Sequence, residues 1–139
     1  MNKQLTAEKA IEKMLKSDKF SRWLRVKIVE SKKGYCKLEM KVRKEMMNGF
    51  NIVHGGVTFS LADSALAFAS NSYGKVAVVI ENNISFVKPV RENDILIATA
   101  EEQSRNNHLG VYSVEITNQK NEKVAVFKGT VYITNKNIL

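Results

Sequence analysis

The residues best suited to do chemistry lie close together, between positions 48 and 63. Asn48 is followed six residues later by His54-Gly55-Gly56, and Asp63 lies nine residues after the histidine. Two adjacent glycines allow another group to approach the backbone closely. A glycine N–H at the start of a helix is also a donor at the positive end of the helix dipole. Asp63 could act beside such a donor as a base or as a nucleophile.

An apolar helix follows the glycines and carries Asp63. There is no proline or glycine between Val57 and Tyr73, and Gly74 stands where a left-handed cap would end the helix. Apolar side chains lie on every side of this helix, at Leu61, Ala62, Ala65, Leu66, Phe68 and Ala69. A helix that is apolar on every side is buried. It would be about 26 Å long, and its scattered Ser, Thr and Asp residues favour a core helix wrapped by a sheet over a membrane span.

Asp63 is unusual within this helix because a buried carboxylate is costly without partners. A capping or salt-bridged aspartate is the simpler alternative, but that role suits the first turn, and Asp63 lies further in. The position therefore favours a functional carboxylate in a cavity.

Composition limits the classes of protein to consider. The 139 residues, 44% of them hydrophobic, form one predicted domain over 1–139, with a helical segment at 1–20. The net charge of +8 is scattered, without a basic helix or zinc-finger spacing, so it indicates a solvated surface or a phosphate-bearing ligand such as a coenzyme. We expect no nucleic-acid partner, no membrane and no metal. A single cysteine, Cys36, lies in a strand pattern without a nearby histidine, which predicts a small core or surface residue in preference to a nucleophile. The lone cysteine and the absence of an apolar signal core in residues 1–5 indicate the cytoplasm.

The remaining elements are read from hydrophobic periodicity. Thr6 predicts the N-cap of a short amphipathic helix, and Phe20, Trp23 and Leu24 would dock the end of this helix on the domain. A hairpin is expected from Leu24–Glu30 and Tyr35–Val42, with Cys36, Leu38, Met40 and Val42 on one face. Four strands then follow the central helix as a predicted antiparallel meander, at Val76–Val87, Asp94–Gln103, Leu109–Asn118 and Lys123–Thr134. Apolar residues on both faces of some strands indicate a subunit interface.

These motifs resemble the hotdog-fold thioesterases of the phenylacetate-degradation type, the PaaI-like group. The resemblance covers about residues 40–134. It rests on the Asn48, His54-Gly55-Gly56 and Asp63 spacing and on two later segments, Gly110–Gln119 and Val124–Gly129. It implies an α+β fold in which a curved antiparallel sheet of about six strands wraps a long central helix, with a short N-terminal helix.

The resemblance also implies hydrolysis of acyl-coenzyme A to a free acid and coenzyme A. Asp63 would be the catalytic carboxylate, the Gly55 N–H would polarise the thioester carbonyl, and Asn48 would orient the substrate or the attacking group. His54 would support the loop through a ring hydrogen bond, with a role as base the lesser alternative. Relatives place a hydroxyl in the strand after the helix, where this chain has Glu81, Asn82, Asn83 and Ser85. Coenzyme A would be part of the substrate, so no separate cofactor is expected.

Helix geometry predicts that the active unit contains more than one protomer. Gly55 and Asp63 are eight positions apart, or about 12 Å along a helix axis. One helix cannot bring both groups to one carbonyl, so we expect Gly55 of one subunit to face Asp63 of another. The minimal unit is a homodimer, and the resemblance implies a homotetramer built from two dimers.

The substrate would need cations and an apolar pocket. Lys88, Arg91 and Arg105 lie in turns where they could meet the phosphates of coenzyme A. The acyl group could be lined by residues of the helix and its start, at Gly56, Phe59, Leu66, Phe68 and Tyr73. The resemblance favours an aromatic acyl group, and short or medium aliphatic groups remain open.

Three other functions fit parts of the sequence. A hotdog dehydratase or hydratase would need a histidine and a carboxylate in a different motif. A non-catalytic acyl-CoA sensor of the repressor type would need a helix-turn-helix, and only about twenty residues precede the first predicted strand. A small structural module would have no evident use for a buried aspartate.

Overall fold

The computed structural model describes residues 2–139 and has the expected α+β architecture, with six strands and a long central helix. The helices are α1 (Lys3–Ser17), α2 (Lys19–Leu24) and α3 (Gly55–Asn71), with a short 3-10 helix at Lys44–Met46. The strands are β1 (Lys27–Lys32), β2 (Tyr35–Lys41), β3 (Lys75–Phe86), β4 (Ile95–Arg105), β5 (Leu109–Thr117) and β6 (Lys123–Asn137).

The sheet order is β1-β2-β4-β5-β6-β3, with every neighbouring pair antiparallel. The predicted four-strand meander is therefore wrong for β3, which lies at the far edge beside β6. The reason is the segment between β3 and β4, which crosses the end of the sheet instead of turning back. At its start the Val87 N–H donates to Val124 on the β6 side, and at its end the Asn93 N–H donates to Val42 on the β2 side, each at 2.9 Å.

Helix α3 packs against the sheet with the expected burial. The apolar residues predicted to surround it are all inaccessible to solvent, at Leu61, Ala62, Ala65, Leu66, Phe68 and Ala69. The helix begins at Gly55, two residues before the prediction, and ends at Asn71. Asn71 ties this end to β3, because its side chain donates to the Ala77 carbonyl and accepts from the Ala77 N–H. Gly74 has φ +89°, in agreement with the predicted left-handed glycine.

The N-terminal segment differs from the prediction. Helix α1 is capped by Asn2, whose Oδ1 accepts from the Gln4 N–H at 2.8 Å, so Thr6 lies inside the first turn. Asp18 caps a second helix, α2, and accepts from the Ser21 N–H at 2.9 Å. Leu24, predicted to begin the first strand, ends this helix, Arg25 is its left-handed C-cap, and β1 begins only at Lys27.

The docking of Phe20 and Trp23 is also wrong. Helix α2 turns Ser21 and Leu24 inward, which leaves the two aromatic rings outside. They are 55% and 45% exposed and stack on each other at 5.9 Å between ring centroids.

Within residues 2–139, no helix is long and apolar enough to cross a membrane.

Candidate active site

The start of α3 presents one backbone donor that no protein group uses. His54 is the N-cap, and its Nδ1 accepts from the Gly56 N–H at 2.8 Å. The His54 carbonyl accepts from the Val57 N–H at 2.9 Å. Among residues 2–139, the Gly55 N–H donates a hydrogen bond to no group. The histidine thus fixes the loop through its ring, as expected, and leaves Gly55 free at the positive end of the helix dipole.

A cleft of about 350 Å³ opens beside this donor. Its walls are Asn48, Ile52, Val53, Gly55, Thr58, Phe86, Val87, Lys88, Pro89, Val90 and Val124. The walls are mostly apolar, with a few polar groups at one end, which is typical of a small-molecule site. We call this space the cleft.

Asn48 contributes one of those polar groups. Its Oδ1 accepts from the N–H of Phe50 at 2.8 Å and from the N–H of Ile52 at 3.4 Å, which closes the loop before α3. The side-chain NH₂ donates to none of the described residues. Asn48 therefore holds the loop with its oxygen and keeps its donor for another group.

Asp63 is half-buried on α3. Its Oδ1 accepts a 2.7 Å hydrogen bond from the Asn82 side-chain amide of β3. Burial raises the pKa of the Asp63 carboxyl above its ordinary value of 3.8, the Asn82 hydrogen bond lowers it, and the nearby Asp18 carboxylate raises it. The carboxyl is thus partly desolvated and held by a single side-chain donor.

Asn82 has no assigned role in the sequence prediction. The signal available was a polar run, Glu81-Asn82-Asn83, inside an otherwise apolar strand. In a regular strand, alternate side chains point inward, but a bulge between Val79 and Glu81 shifts this alternation by one residue. The inward-facing member of the three cannot be identified unless the bulge is known. That bulge turns Asn82 toward α3.

One protomer does not bring Gly55 and Asp63 together on a single small group. Both residues lie on α3, at its first and ninth positions. Eight residues of helix separate them by about 12 Å along the axis. Gly55 lies beside Phe86 at the end of β3, and Asp63 lies beside Asn82 in the middle of the same strand.

The predicted phosphate-binding cations separate into two groups. Lys88 forms an ion pair with Glu122, and Lys88 and Arg91 line a polar hollow of about 320 Å³ that adjoins the cleft. Lys120 lines the same hollow and was not predicted.

Arg105 lies elsewhere, near the opposite end of α3. Its guanidinium lies 3.7 Å from the centre of the Tyr73 ring and donates to the Ser70 carbonyl at 3.4 Å. The structure therefore does not bring Arg105 to the cleft.

The predicted acyl-pocket residues do not line the cleft. The Gly56 N–H is used by His54, and the Phe59 ring packs edge-on against Phe127 at 5.4 Å. Leu66 and Phe68 are fully buried in the core.

Tyr73 lies beyond the other end of α3, where its hydroxyl donates to Glu102 at 3.1 Å. These predictions followed helical spacing, whereas the apolar walls come from loops and strand ends. The available signal was the apolar residues in those loops, Ile52-Val53, Phe86-Val87 and Val90.

In the part of the chain that the structure describes, no group of three His, Cys, Asp or Glu side chains is arranged to hold a metal ion. His108 is exposed at a turn, and Cys36 is buried in the core.

Comparisons with known proteins define the class. The thioesterase superfamily model matches residues 50–125. The acyl-coenzyme A thioesterase PaaI of Escherichia coli K12 is 39% identical over 116 residues, which cover 84% of this chain and 83% of that protein. The six-stranded sheet around α3 is the hotdog fold of thioesterases, and this chain belongs to the thioesterase superfamily.

Solved structures agree along most of the chain. The E. coli PaaI protein from the phenylacetic acid degradation operon has a TM-score of 0.95 at 34% identity, covering 98% of this chain and 99% of that one. A Streptococcus mutans UA159 protein bound to acetyl-CoA has a TM-score of 0.78 at 27% identity, covering 81% of this chain and 90% of that one.

Proposed function

We propose that this protein is a thioester hydrolase that converts acyl-coenzyme A to a free acid and coenzyme A. The observation that carries the proposal is the unpaired Gly55 N–H at the head of a 17-residue helix, inside a mostly apolar cleft. The relatives named acyl-coenzyme A thioesterases support the same activity. We assign the whole chain, 1–139, to one hotdog domain and place it in the cytoplasm.

The chemistry follows from the charge that develops during hydrolysis. Attack on the thioester carbonyl produces a tetrahedral oxyanion, and the Gly55 N–H donates to it with the helix dipole behind it. Loss of one oxyanion donor elsewhere lowers kcat by about 100-fold to 1,000-fold. The Asn48 NH₂ group, which has no acceptor in the described part of the chain, orients the substrate or the attacking group.

Asp63 drives the attack by one of two routes. As a base, it takes a proton from water while the water oxygen bonds to the carbonyl carbon; the C–S bond then breaks and the proton passes to the thiolate. As a nucleophile, it bonds to the carbonyl carbon, and the C–S bond breaks to release the coenzyme A thiolate and leave an anhydride. Water then opens the anhydride to the free acid and the Asp63 carboxylate, and its proton passes to the thiolate. A single turnover in H₂¹⁸O separates the routes, because only the anhydride route can leave ¹⁸O in the Asp63 side chain, where peptide mass spectrometry detects it.

The active unit is a dimer in this proposal, with Gly55 and Asp63 contributed by different protomers. Strand β3 is an edge strand of 12 residues, and its Val78 and Ile80 side chains are 48% and 58% exposed. An exposed apolar edge strand invites pairing with another strand. Two β3 strands paired antiparallel about a twofold axis near Ile84 would set Phe86 opposite Asn82 of the partner subunit. That register carries Gly55 toward the partner's Asp63, and two such dimers would form the tetramer.

The cleft and the adjoining hollow suit the two ends of the substrate. The hollow holds Lys88, Arg91 and Lys120, which can meet the phosphates of coenzyme A. The apolar walls at Ile52 and Phe86 suit the acyl group or the pantetheine arm. The phenylacetic acid operon of the E. coli relative favours an aromatic acyl group, with short or medium aliphatic groups as the second candidate.

Thiol release from a panel of acyl-coenzyme A substrates tests the proposal. The panel contains phenylacetyl, hydroxyphenylacetyl, benzoyl and straight-chain acyl groups, and compares wild type with Asp63→Asn and Asp63→Ala. We expect turnover by wild type and its loss in both variants, with unchanged circular dichroism. Acyl-coenzyme A binding without turnover would identify a binding module, and hydration of an enoyl-coenzyme A without thiol release would identify a hydratase.

A further inference from the structure

The contact between Asn82 and Asp63 depends on a third residue, Gly129 of β6. Asn82 and Gly129 are directly paired in the β3–β6 ladder. A Cβ at position 129 would lie 2.3 Å from Asn82 Oδ1 and 2.3 Å from Leu66 Cδ1. Carbon atoms do not approach these groups so closely, so a side chain at position 129 would displace both. The space above Gly129 is therefore filled by the Asn82 amide.

Backbone conformation does not explain this glycine. The glycines with positive φ are Gly34 and Gly74, and Gly129 is not among them. Any residue could adopt its backbone, so the requirement is for space. In contrast, a Cβ at Gly49 would meet nothing within 4 Å.

The Asn82 side chain is held between the sheet and the carboxylate. Its Nδ2 donates to Asp63 Oδ1 at 2.7 Å, and its Oδ1 is buried with no hydrogen-bond partner in the described chain. A buried amide oxygen without a partner is unfavourable. The strand thus tolerates an unsatisfied amide oxygen on Asn82, whose NH₂ group is bonded to Asp63.

We propose that Asn82 and Gly129 are positioning residues for the reaction: Gly129 leaves the space in which the Asn82 amide holds one oxygen of Asp63, so that the other oxygen faces the reacting group. This inference rests on the proposed role of Asp63.

The electrostatic consequence has a definite sign. Among the groups packed around Asp63, the charged one is Asp18 at the start of α2, which raises the pKa of Asp63 together with burial. Strands β3 and β6 contribute the uncharged Asn82 and Gly129. Because the Asn82 hydrogen bond stabilises the ionised carboxylate, removing it raises the pKa further. A substitution that only loosened the packing would lower activity but leave the pKa of the Asp63 carboxyl unchanged.

The test compares Asn82→Ala with Asn107→Ala, a control at an exposed asparagine in the turn between β4 and β5. For Asn82→Ala we expect kcat to fall about 10-fold to 100-fold with KM little changed, and the acidic limb of the pH–kcat/KM profile to move to higher pH. Asn107→Ala should leave both unchanged. Asn82→Ser, which keeps a donor, should restore part of the loss, and Gly129→Ala should shift the limb in the same direction as Asn82→Ala.

Carbon-13 NMR titration of the Asp63 carboxyl keeps this inference separate from the proposed function. We expect a higher Asp63 pKa in Asn82→Ala than in wild type, whether or not thioesters are hydrolysed. An unmoved titration in folded Asn82→Ala would overturn the positioning role, even in an active enzyme. Full thioester hydrolysis by Asp63→Asn would instead overturn the proposed function, while leaving the NMR comparison to decide the contact.

Discussion

Asp63 combines a cost to stability with a gain in reactivity. Its carboxyl is half-buried, and its identified hydrogen-bond donor is Asn82. Burial is the largest cause of its raised pKa, so the ionised form that the reaction requires is the form that the fold disfavours. Functional sites often retain such unfavourable groups.

We predict that Asp63→Asn loses activity and gains stability. Removal of the carboxylate should lower kcat at least about a thousandfold. A carboxyl whose folded pKa is raised contributes stability below its unfolded pKa and loses it as pH rises through the folded pKa. A neutral amide avoids this loss and can still accept from Asn82. Scanning calorimetry should give the variant a higher Tm than wild type at pH 7, and a difference that disappears below pH 3.

The acidic limb of wild-type activity belongs to the same group. Since Asp63 must be ionised and its pKa is raised, kcat/KM should fall as pH drops through a value above the ordinary 3.8 of an aspartate. Steady-state kinetics across pH 3.5–8 measures this limb. If kcat/KM falls only at or below the ordinary pKa of an aspartate, a more exposed carboxylate takes part in the reaction instead of Asp63.

Cys36 should be unreactive in the folded protein. It is fully buried, and burial raises the pKa of its thiol to about 12. The thiolate is the reactive form, so iodoacetamide at pH 8 should label native protein far more slowly than protein in urea. Intact-mass spectrometry follows the labelling, and rapid modification of the native state would contradict the packing of β2.

At this scale the sequence predicted the residues of one local motif and missed the distant contact. Asn48, His54, Gly55 and Asp63 lie within sixteen positions, so their types and spacing could be interpreted together. Asn82 is nineteen positions beyond Asp63, and its approach depends on a bulge that no spacing rule predicts.

The head of α3 is the element on which the oxyanion donor depends. The His54 ring and carbonyl accept from the N–H groups of Gly56 and Val57, whereas the N–H of Gly55, which lines the cleft, has no acceptor among residues 2–139. The start of the helix is therefore ordered before substrate arrives, and such preorganisation lowers the cost of stabilising charge.

We predict that His54→Ala weakens both the helix and the reaction. Loss of an N-cap side chain costs about 0.5–2 kcal/mol of the free energy of unfolding, measurable by urea denaturation. The activity loss should be smaller than that of Asp63→Asn, because the Gly55 N–H remains. His54→Asn keeps a side-chain acceptor and should recover most of both quantities. If it recovers stability but leaves activity as low as the alanine variant, the ring has a chemical role beyond capping.

The helices and strands were largely predictable from the sequence, except where pairing between distant segments determines the place of a strand in the sheet. Alternation in β2 and the apolar periphery of α3 gave the correct buried faces. Strand β3 was misplaced because adjacency in sequence favours a hairpin, whereas its loop is bonded to both sides of the sheet. Arg105 and Tyr73 lie away from the cleft for a similar reason, since position in the sequence alone does not show which end of α3 a segment approaches.

At the scale of the whole molecule, the exposed β3 edge is the predicted dimer surface. Ile80 is 58% exposed on β3, and Val29 is 54% exposed on β1 at the opposite edge. We expect Ile80→Glu to shift the molecule toward monomer and lower activity, because a charged side chain would replace an exposed apolar one on the strand edge that pairs with the partner. Val29→Glu is the matched control and should change neither. Light scattering after size exclusion measures the mass, and a fully active monomer would contradict the shared site.

The most direct test of the central claim is complementation between two inactive variants. Gly55→Pro removes the donor at the first helical position, where proline is tolerated, and His54 already has the extended backbone (φ −63°, ψ 132°) that precedes a proline. Asp63→Asn removes the carboxylate. When the two proteins are dissociated, mixed in equal amounts and reassociated, half of the dimers are mixed and each has one intact site. The mixture should regain about a quarter of wild-type activity; a mixture that forms mixed dimers but stays inactive would show that both groups act within one protomer.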